Sequence, residues 1–357
     1  MRIGIDAREL VGQVTGVGRY LAGLLRDWRA TGAAARHEFV LYAHDVIPPA
    51  YAGFESRILP GSSGTWWQQV TLPPAARRDK LDAFFAPQYS APLLINTPTV
   101  VVIYDVSFAA HPEWFATREG IRLRTLARWS AAKACAVVTI SEFSRREIRE
   151  HLNVPDSRIH VIPPGVPEPA APKLRGSEGG ARLLYVGSIF NRRHVLDLIR
   201  AFALLAGTHD DASLDIVGDN RSYPFEDVAA AIAREDLGDR IRWHRFATDD
   251  QLAGLYGRAR AFAFLSEYEG LGLTPLEALS AGAPSVLYDT PIAHEACGDA
   301  ALYVSSGDQG ALVRAMESLL YDEETRRRLL LAGRTELEKF NWTRAAEQTL
   351  SVLERCR

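Results

Sequence analysis

The chain has 357 residues, 47% of them hydrophobic and 24% charged, with a formal net charge of −3. That length implies about two domains, each able to bury its own core, and the composition excludes disordered, collagenous and coiled-coil classes. The near-neutral balance argues against a general nucleic-acid binder, which needs a basic surface to neutralise phosphate, and no apolar run approaches the ~18 residues of a membrane span.

In chain order, residues 3–6 read as a short apolar strand. With no signal-peptide-like apolar stretch at this start, the chain is expected to stay in the cytosol. Val17, Tyr20, Leu21, Leu24, Leu25 and Trp28 follow at spacings of three and four, giving one apolar helix face. Residues 38–42, 99–103 and 136–140 read as strands, the second β-branched throughout and so buried on both faces. Ser141 is an N-cap for a helix running to Leu152, and a strand at 159–162 ends at Pro163-Pro164-Gly165. The next stretch, PPGVPEPAAPKLRGSEGG, is rich in proline and glycine and has no periodicity, so it reads as an interdomain linker. Beyond it the alternation resumes. Strands are predicted at 183–187, 214–217, 241–244, 261–265 and 285–288, with a helix over 195–206 and closing helices near 310–321, 324–339 and 343–356. Strands alternating with helices predict parallel, doubly wound sheets. The expected organisation is residues 1–165 as an N-terminal Rossmann-like domain, 166–180 as linker, 181–340 as a C-terminal Rossmann-like domain, and 341–357 as a terminal helix that could cross back to the first domain. Two such domains imply a cleft, with ligands bound at the strand ends. The three cysteines, Cys135, Cys297 and Cys356, are scattered without a C-x-x-C pair, which predicts neither a disulfide framework nor a structural zinc site.

The most informative stretch is SEYEGLGLTPLEALSAGAP from Ser266. A buried strand ends, two glycines follow, and Pro275 suits the first turn of a helix. Backbone N–H groups near Gly272, Leu273 and Thr274, with the helix dipole, make an anion site suited to a diphosphate. Glu269 and Glu277 stand eight residues apart, one on the loop and one in the helix. This Glu-x7-Glu pair resembles the signature of the retaining glycosyltransferases of family four, of the bacterial mannosyltransferase type, which have the GT-B architecture. The likeness continues in GIDARELVGQVTGVGRYL near the start, HPEWF from His111, VTISEFSRREI at 138–148, VIPPGV at 161–166, YVGS at 185–188 and GDAALYV at 298–304.

The resemblance implies a role for each matching position. Glu277 would accept hydrogen bonds from the nucleotide ribose, and Glu269 would orient the donor sugar and stabilise developing positive charge. Arg192 and Arg193 would neutralise the leaving diphosphate without a metal, with Arg193 standing where relatives carry lysine. Gly187 and Ser188 border the same site, and the backbone of Phe246 would contact the base. Gly16 and Gly18 would form a glycine loop closing over the phosphates; the third glycine of a dinucleotide fingerprint is absent, because position 21 is Leu21. One departure concerns Tyr104-Asp105, where relatives read His-Asp. Tyr104 is a poor base, with a reference pKa of about 10, and Asp105 is the remaining acceptor contact. His111, just before Pro112, reads more readily as structural than catalytic.

The implied function is a retaining, metal-independent hexosyltransferase. It takes a nucleotide diphosphate sugar, GDP-mannose favoured, and a glycan or lipid-linked oligosaccharide acceptor in polysaccharide biosynthesis such as O-antigen assembly. No cofactor and no nucleic-acid partner are expected. The alternatives are a catalytically silent nucleotide-sugar-binding subunit and a GT-B-fold nucleotide-sugar epimerase. Residues 117–133 carry five basic side chains against Glu119, interleaved with Ile121 and Trp129. This is the composition either of a helix at an anionic membrane surface or of a solvated one. Trp66-Trp67 reads equally as core or as an acceptor contact.

Overall fold

The computed structural model describes residues 1–12, 16–167 and 180–356. They form two compact units. The first comprises Met1–Pro112, Thr117–Gly165 and the segment from Phe340 onward, and the second comprises Glu113–Ala116 and Val166–Lys339. The linker expected at 166–180 lies largely outside the described residues.

The first unit carries seven parallel strands: β1 (Arg2–Asp6), β2 (Glu38–Ala43), β3 (Glu55–Ile58), β4 (Ala83–Ala86), β5 (Thr99–Val102), β6 (Ala136–Thr139) and β7 (Ile159–Val161), in the spatial order β3-β2-β1-β4-β5-β6-β7. The central strands β4, β5 and β6 are buried at every residue, as a parallel sheet covered on both faces requires. β3, by contrast, is an edge strand with mostly exposed side chains. Its sequence, Glu-Ser-Arg-Ile, has no apolar run, and this hides it from periodicity.

The second unit carries β8 (Ala181–Val186), β9 (Ala212–Val217), β10 (Ile241–His244), β11 (Ala261–Phe264), β12 (Ser285–Tyr288) and β13 (Ala301–Val304), in the order β10-β9-β8-β11-β12-β13, all parallel. In each sheet the order reverses once, at β1/β4 and at β8/β11. Adjacent crossovers leave such a point in opposite directions, opening a crevice at the carboxyl ends of the two strands.

The terminal helix Trp342–Arg355 packs in the first unit, where the Trp28 indole N–H donates to the Ala346 carbonyl at 2.9 Å. The Trp342 ring lies over Gly23 and Gly165, and a Cβ on either glycine would stand 2.3 Å from it. The cysteine expectation is corrected here. Cys135 and Cys356 form a disulfide with a Cα–Cα separation of 5.9 Å, inside the range a bridge requires. Their 221-residue separation gives no sequence signal. The fold brings the end of the terminal helix beside the start of β6. Cys297 is free and buried.

Candidate active site

The functional side chains of the second unit gather at its β8/β11 reversal. β8 runs out at Val186 into Gly187, Ser188 and the short turn Asn191–Arg193. β11 runs out at Phe264 into Ser266 and Glu269, then into helix Leu273–Ser280. The two exits are stitched together at the backbone, where the Glu267 N–H donates to the Arg192 carbonyl at 3.0 Å. Two glycines allow the approach from the β9 side. A Cβ on Gly218 would stand 2.0 Å from the Gly187 carbonyl oxygen, and one on Gly187 would stand 2.8 Å from the Arg193 guanidinium.

Arg193 and Glu269 form a two-pronged ion pair. Arg193 Nε donates to Glu269 Oε1 at 2.7 Å and Nη2 donates to Oε2 at 3.0 Å, while Nη1 donates to the Ser188 carbonyl at 2.9 Å. Ser266 Oγ adds a further hydrogen bond to Glu269 Oε1 at 2.8 Å. Burial pushes the Glu269 carboxyl up, but the Arg193 charge and hydrogen bonds outweigh it and hold the carboxyl below its ordinary value. Glu269 is therefore ionised at neutral pH, and Arg193 is held charged by the same pair. The Arg193 guanidinium also lies 4.9 Å from the Phe264 ring centroid, which limits where it can swing.

Arg192 is placed differently. Its guanidinium lies over Phe190 at 4.4 Å and Trp114 at 5.6 Å. It has no carboxylate within ion-pair distance among the described residues, and its Nε is buried without a hydrogen-bond partner. Helix Leu273–Ser280 starts from Gly272, in the left-handed region at φ +88°, with no side chain capping the first turn. A helix start without an N-cap hydrogen bond and an arginine with no direct ion pair are two positive elements of this site, though the Arg192 charge also helps to keep Glu269 ionised. Within that helix Glu277 accepts from the Tyr256 hydroxyl at 3.0 Å. Ser188 Oγ donates to Asp219 Oδ1 at 2.7 Å, and Phe246 is exposed. A small apolar cavity lined by Leu271, Pro275, Leu287 and Ile292 reaches Glu269 and Gly272.

In the first unit, Gly16 and Gly18 do not form a loop: both lie in the opening turn of helix Gly16–Ala30, and Thr15 before them is outside the described residues. The Tyr104 hydroxyl donates to the Pro87 carbonyl at 2.9 Å, with its ring edge-on to Tyr20 at 5.4 Å. Burial, then Tyr20 and Glu9, hold that hydroxyl well above the ordinary phenol range. Asp105 Oδ1 accepts from the Ser107 N–H at 2.8 Å, a local turn. Both side chains thus have structural duties.

A family model for glycosyl transferases group 1 matches residues 169–336, and a model for Glycosyltransferase Family 4 matches residues 14–168. The chain belongs to the family-four glycosyltransferases. O-antigen chain mannosyltransferase B of Escherichia coli is 27% identical over 290 residues, covering 78% of this chain and 75% of that relative. The crystal structure of WaaG, a glycosyltransferase involved in lipopolysaccharide biosynthesis, superposes with a TM-score of 0.76 at 17% identity over 99% of both chains. Anabaena Alr3699/HepE, solved with UDP and glucose, superposes with a TM-score of 0.77 at 17% identity, covering 99% of this chain and 100% of that one. The fold is GT-B, and family membership makes the protein a transferase.

For a family-four glycosyltransferase, the second unit brings together Gly187, Ser188, Arg192, Arg193, Glu269, Gly272, Leu273, Thr274 and Glu277 at one strand-end crevice and along the helix that leaves it. Sequence reasoning missed three supporting residues. Ser266 stands inside the quoted signature but offered no reason to assign it a bond to Glu269. Trp114 was visible in HPEWF, yet only the structure takes Glu113–Ala116 into the second unit and sets the indole 6.1 Å from the Tyr268 ring. Tyr256 lies 21 residues from Glu277 and has no local signal at all.

Proposed function

We propose that this glycosyltransferase is a retaining, metal-independent mannosyltransferase. It would use GDP-mannose and act on a hydroxyl of a glycan or lipid-linked glycan in polysaccharide biosynthesis. The observation that carries the reading is the division of labour between the two arginines. Arg193 is spent on Glu269, whereas Arg192 has no ion-pair partner among the described residues, and no N-cap side chain closes the start of helix Leu273–Ser280. A diphosphate is the ligand whose charge and size suit those two elements, and guanidiniums offer both charge and paired donors to its oxygens. Glu277 would accept from the ribose hydroxyls, with Tyr256 holding the carboxylate in place. Ionised Glu269 would face the sugar and favour positive charge developing at the anomeric carbon.

In the step itself, the bond from the anomeric carbon to the diphosphate oxygen breaks. The acceptor oxygen bonds to the same face of that carbon, and the acceptor proton passes to the departing phosphate oxygen. No strong protein base is then required, consistent with the Tyr104 hydroxyl being committed to Pro87. Mannose is favoured by the likeness to an O-antigen mannosyltransferase; the neighbour solved with UDP keeps uridine donors in the comparison set. The engaged Tyr104 favours one second reading, a silent nucleotide-sugar-binding subunit.

The test is thermal unfolding with GDP, UDP, dTDP and ADP and their common sugar conjugates, followed by product analysis with and without EDTA. A ligand at ~100 times its Kd raises stability by about 2.7 kcal/mol. The proposal expects the largest shift with GDP, slow release of mannose from GDP-mannose, and a rate indifferent to EDTA. A shift confined to another base would overturn the donor, and binding without any turnover would favour the silent subunit.

A further inference from the structure

We propose that His194 is a positioning residue for sugar transfer: paired with Glu267, it fixes the exit of β8 against the exit of β11, so that Arg192 and Glu269 keep their places. The inference rests on the roles given to those two residues above. His194 directly follows the two arginines, at the junction of the turn Asn191–Arg193 and the helix Val195–Ala206. Its Nε2 lies 2.9 Å from Glu267 Oε1, within ion-pair distance but without hydrogen-bond alignment, and its Nδ1 lies 3.2 Å from Asp197 Oδ2. The ring stands edge-on to Tyr288, with 5.2 Å between centroids.

These contacts join the elements that carry the site. Glu267 comes two residues before Glu269, and its backbone N–H holds the Arg192 carbonyl at 3.0 Å. Ser306, just beyond β13, donates from Oγ to Glu267 Oε1 at 3.3 Å, and Tyr288 is the last residue of β12. One imidazole therefore touches the β8 exit, the β11 exit and the end of β12. A shift of Glu267 would carry with it the backbone that bears Glu269 and grips Arg192. In a reacting site a misplacement of about 1 Å can cost about a hundredfold in rate.

Folding stability does not explain a histidine at this position. The backbone of His194 is left-handed, at φ +45° and ψ +41°, a conformation that glycine or asparagine adopts with less strain. The two carboxylates that face the ring, Asp197 and Glu267, are 40% and 41% exposed, and Asp197 also accepts from Arg200 at 3.1 Å. Pairs this exposed add little to stability. What the imidazole supplies is reach, from the arginine turn across to the loop that leads into Glu269.

The test compares His194→Asn and His194→Gln in the full chain, by thermal unfolding and by nucleotide release from GDP-mannose and UDP-glucose. Asparagine suits the left-handed backbone but is too short to reach Glu267. His194→Asn should therefore keep the parent thermal midpoint while kcat falls about tenfold or more. Glutamine, with an amide at roughly the reach of Nε2, should lower the midpoint yet recover most of the rate. A role in folding alone would rank the rates as it ranks the midpoints. Adding Glu267→Ala to His194→Asn should cost little beyond the slower single variant, because both act through one contact. An unimpaired His194→Asn, rates that follow the midpoints, or fully additive losses in the double variant would overturn this inference alone. A parent that releases no nucleotide from either donor would overturn the roles of Arg192 and Glu269 and this inference together.

Discussion

The two sheets share one topology, yet the polar side chains expected to act at their strand ends are partnered differently. At the end of β5, Tyr104 and Asp105 are satisfied internally, by Pro87 and Ser107. At the end of β1, Asp6 is fully buried and locked to the Arg8 guanidinium by two bonds of 2.9 Å, with Gln68 adding a further contact at 3.2 Å. At the β8/β11 reversal the accounting does not close: Glu269 and Arg193 satisfy each other, and Arg192 and the Gly272 helix start are left over. Buried polar groups are normally paired, so the unpartnered Arg192 Nε at this reversal is the feature behind the anion seat proposed above. On the proposed reading, nucleotide binding falls to the second unit, while Tyr104 and Asp105 of the first are engaged within their own unit.

Removing the unpaired cation should have the largest effect on rate. Arg192→Ala should lower kcat for sugar transfer by about a hundredfold or more, as loss of a charge-stabilising donor does, in steady-state assays with the natural donor. Glu269→Gln should cut transfer comparably while leaving nucleotide affinity nearly intact. A variant as active as the parent would remove the carboxylate from the reaction.

Glu277→Ala should weaken nucleotide binding by about tenfold to a hundredfold, the worth of a hydrogen bond to a charged group, read by calorimetric titration. Unchanged affinity would take the ribose role from this residue. The smallest effect belongs to the first unit. Tyr104→Phe deletes one hydrogen bond and should cost about 1 kcal/mol of stability with little change in kcat. A hundredfold fall in kcat would reverse the contrast drawn between the units.

Acid should sharpen the same contrast. Glu269 has a folded-state carboxyl below its ordinary value. Its contribution is therefore fully present above the unfolded value of about 4.3 and lost as pH falls through the folded one. The thermal midpoint gap between the parent and Glu269→Gln should close on acidification below about pH 4. A gap that widens in acid would mean that Arg193 does not hold the carboxylate.

Much of the fold was legible because a parallel sheet buried on both faces writes continuous β-branched runs, as in Thr99–Val102, and because caps are local. Ser141 Oγ does accept from the Ser144 N–H, at 3.0 Å. The site was legible through one local signature, whose glycines and carboxylates sit within a single strand–loop–helix passage. What stayed hidden depends on distance along the chain. The edge strand β3 has no apolar run, and β4 is only Ala-Phe-Phe-Ala before Pro87. The bond from Tyr256 to Glu277, the seat of Trp342 against Gly23, and the Cys135–Cys356 bridge join residues that only tertiary packing makes neighbours. The Gly16–Gly18 pair misled in the other direction. Glycines suggested a loop, but the apolar periodicity beginning at Val17 carries the helix back over both.

Arg192 and the Gly272 helix start are proposed as the diphosphate seat. Its most direct test is calorimetric titration of GDP and UDP into the parent chain and into Arg192→Ala. The expected result is measurable affinity of the parent for a nucleoside diphosphate and at least a tenfold loss in the variant, about 1.4 kcal/mol. Equal affinity in the two proteins, or no binding of either nucleotide to the parent, would contradict it.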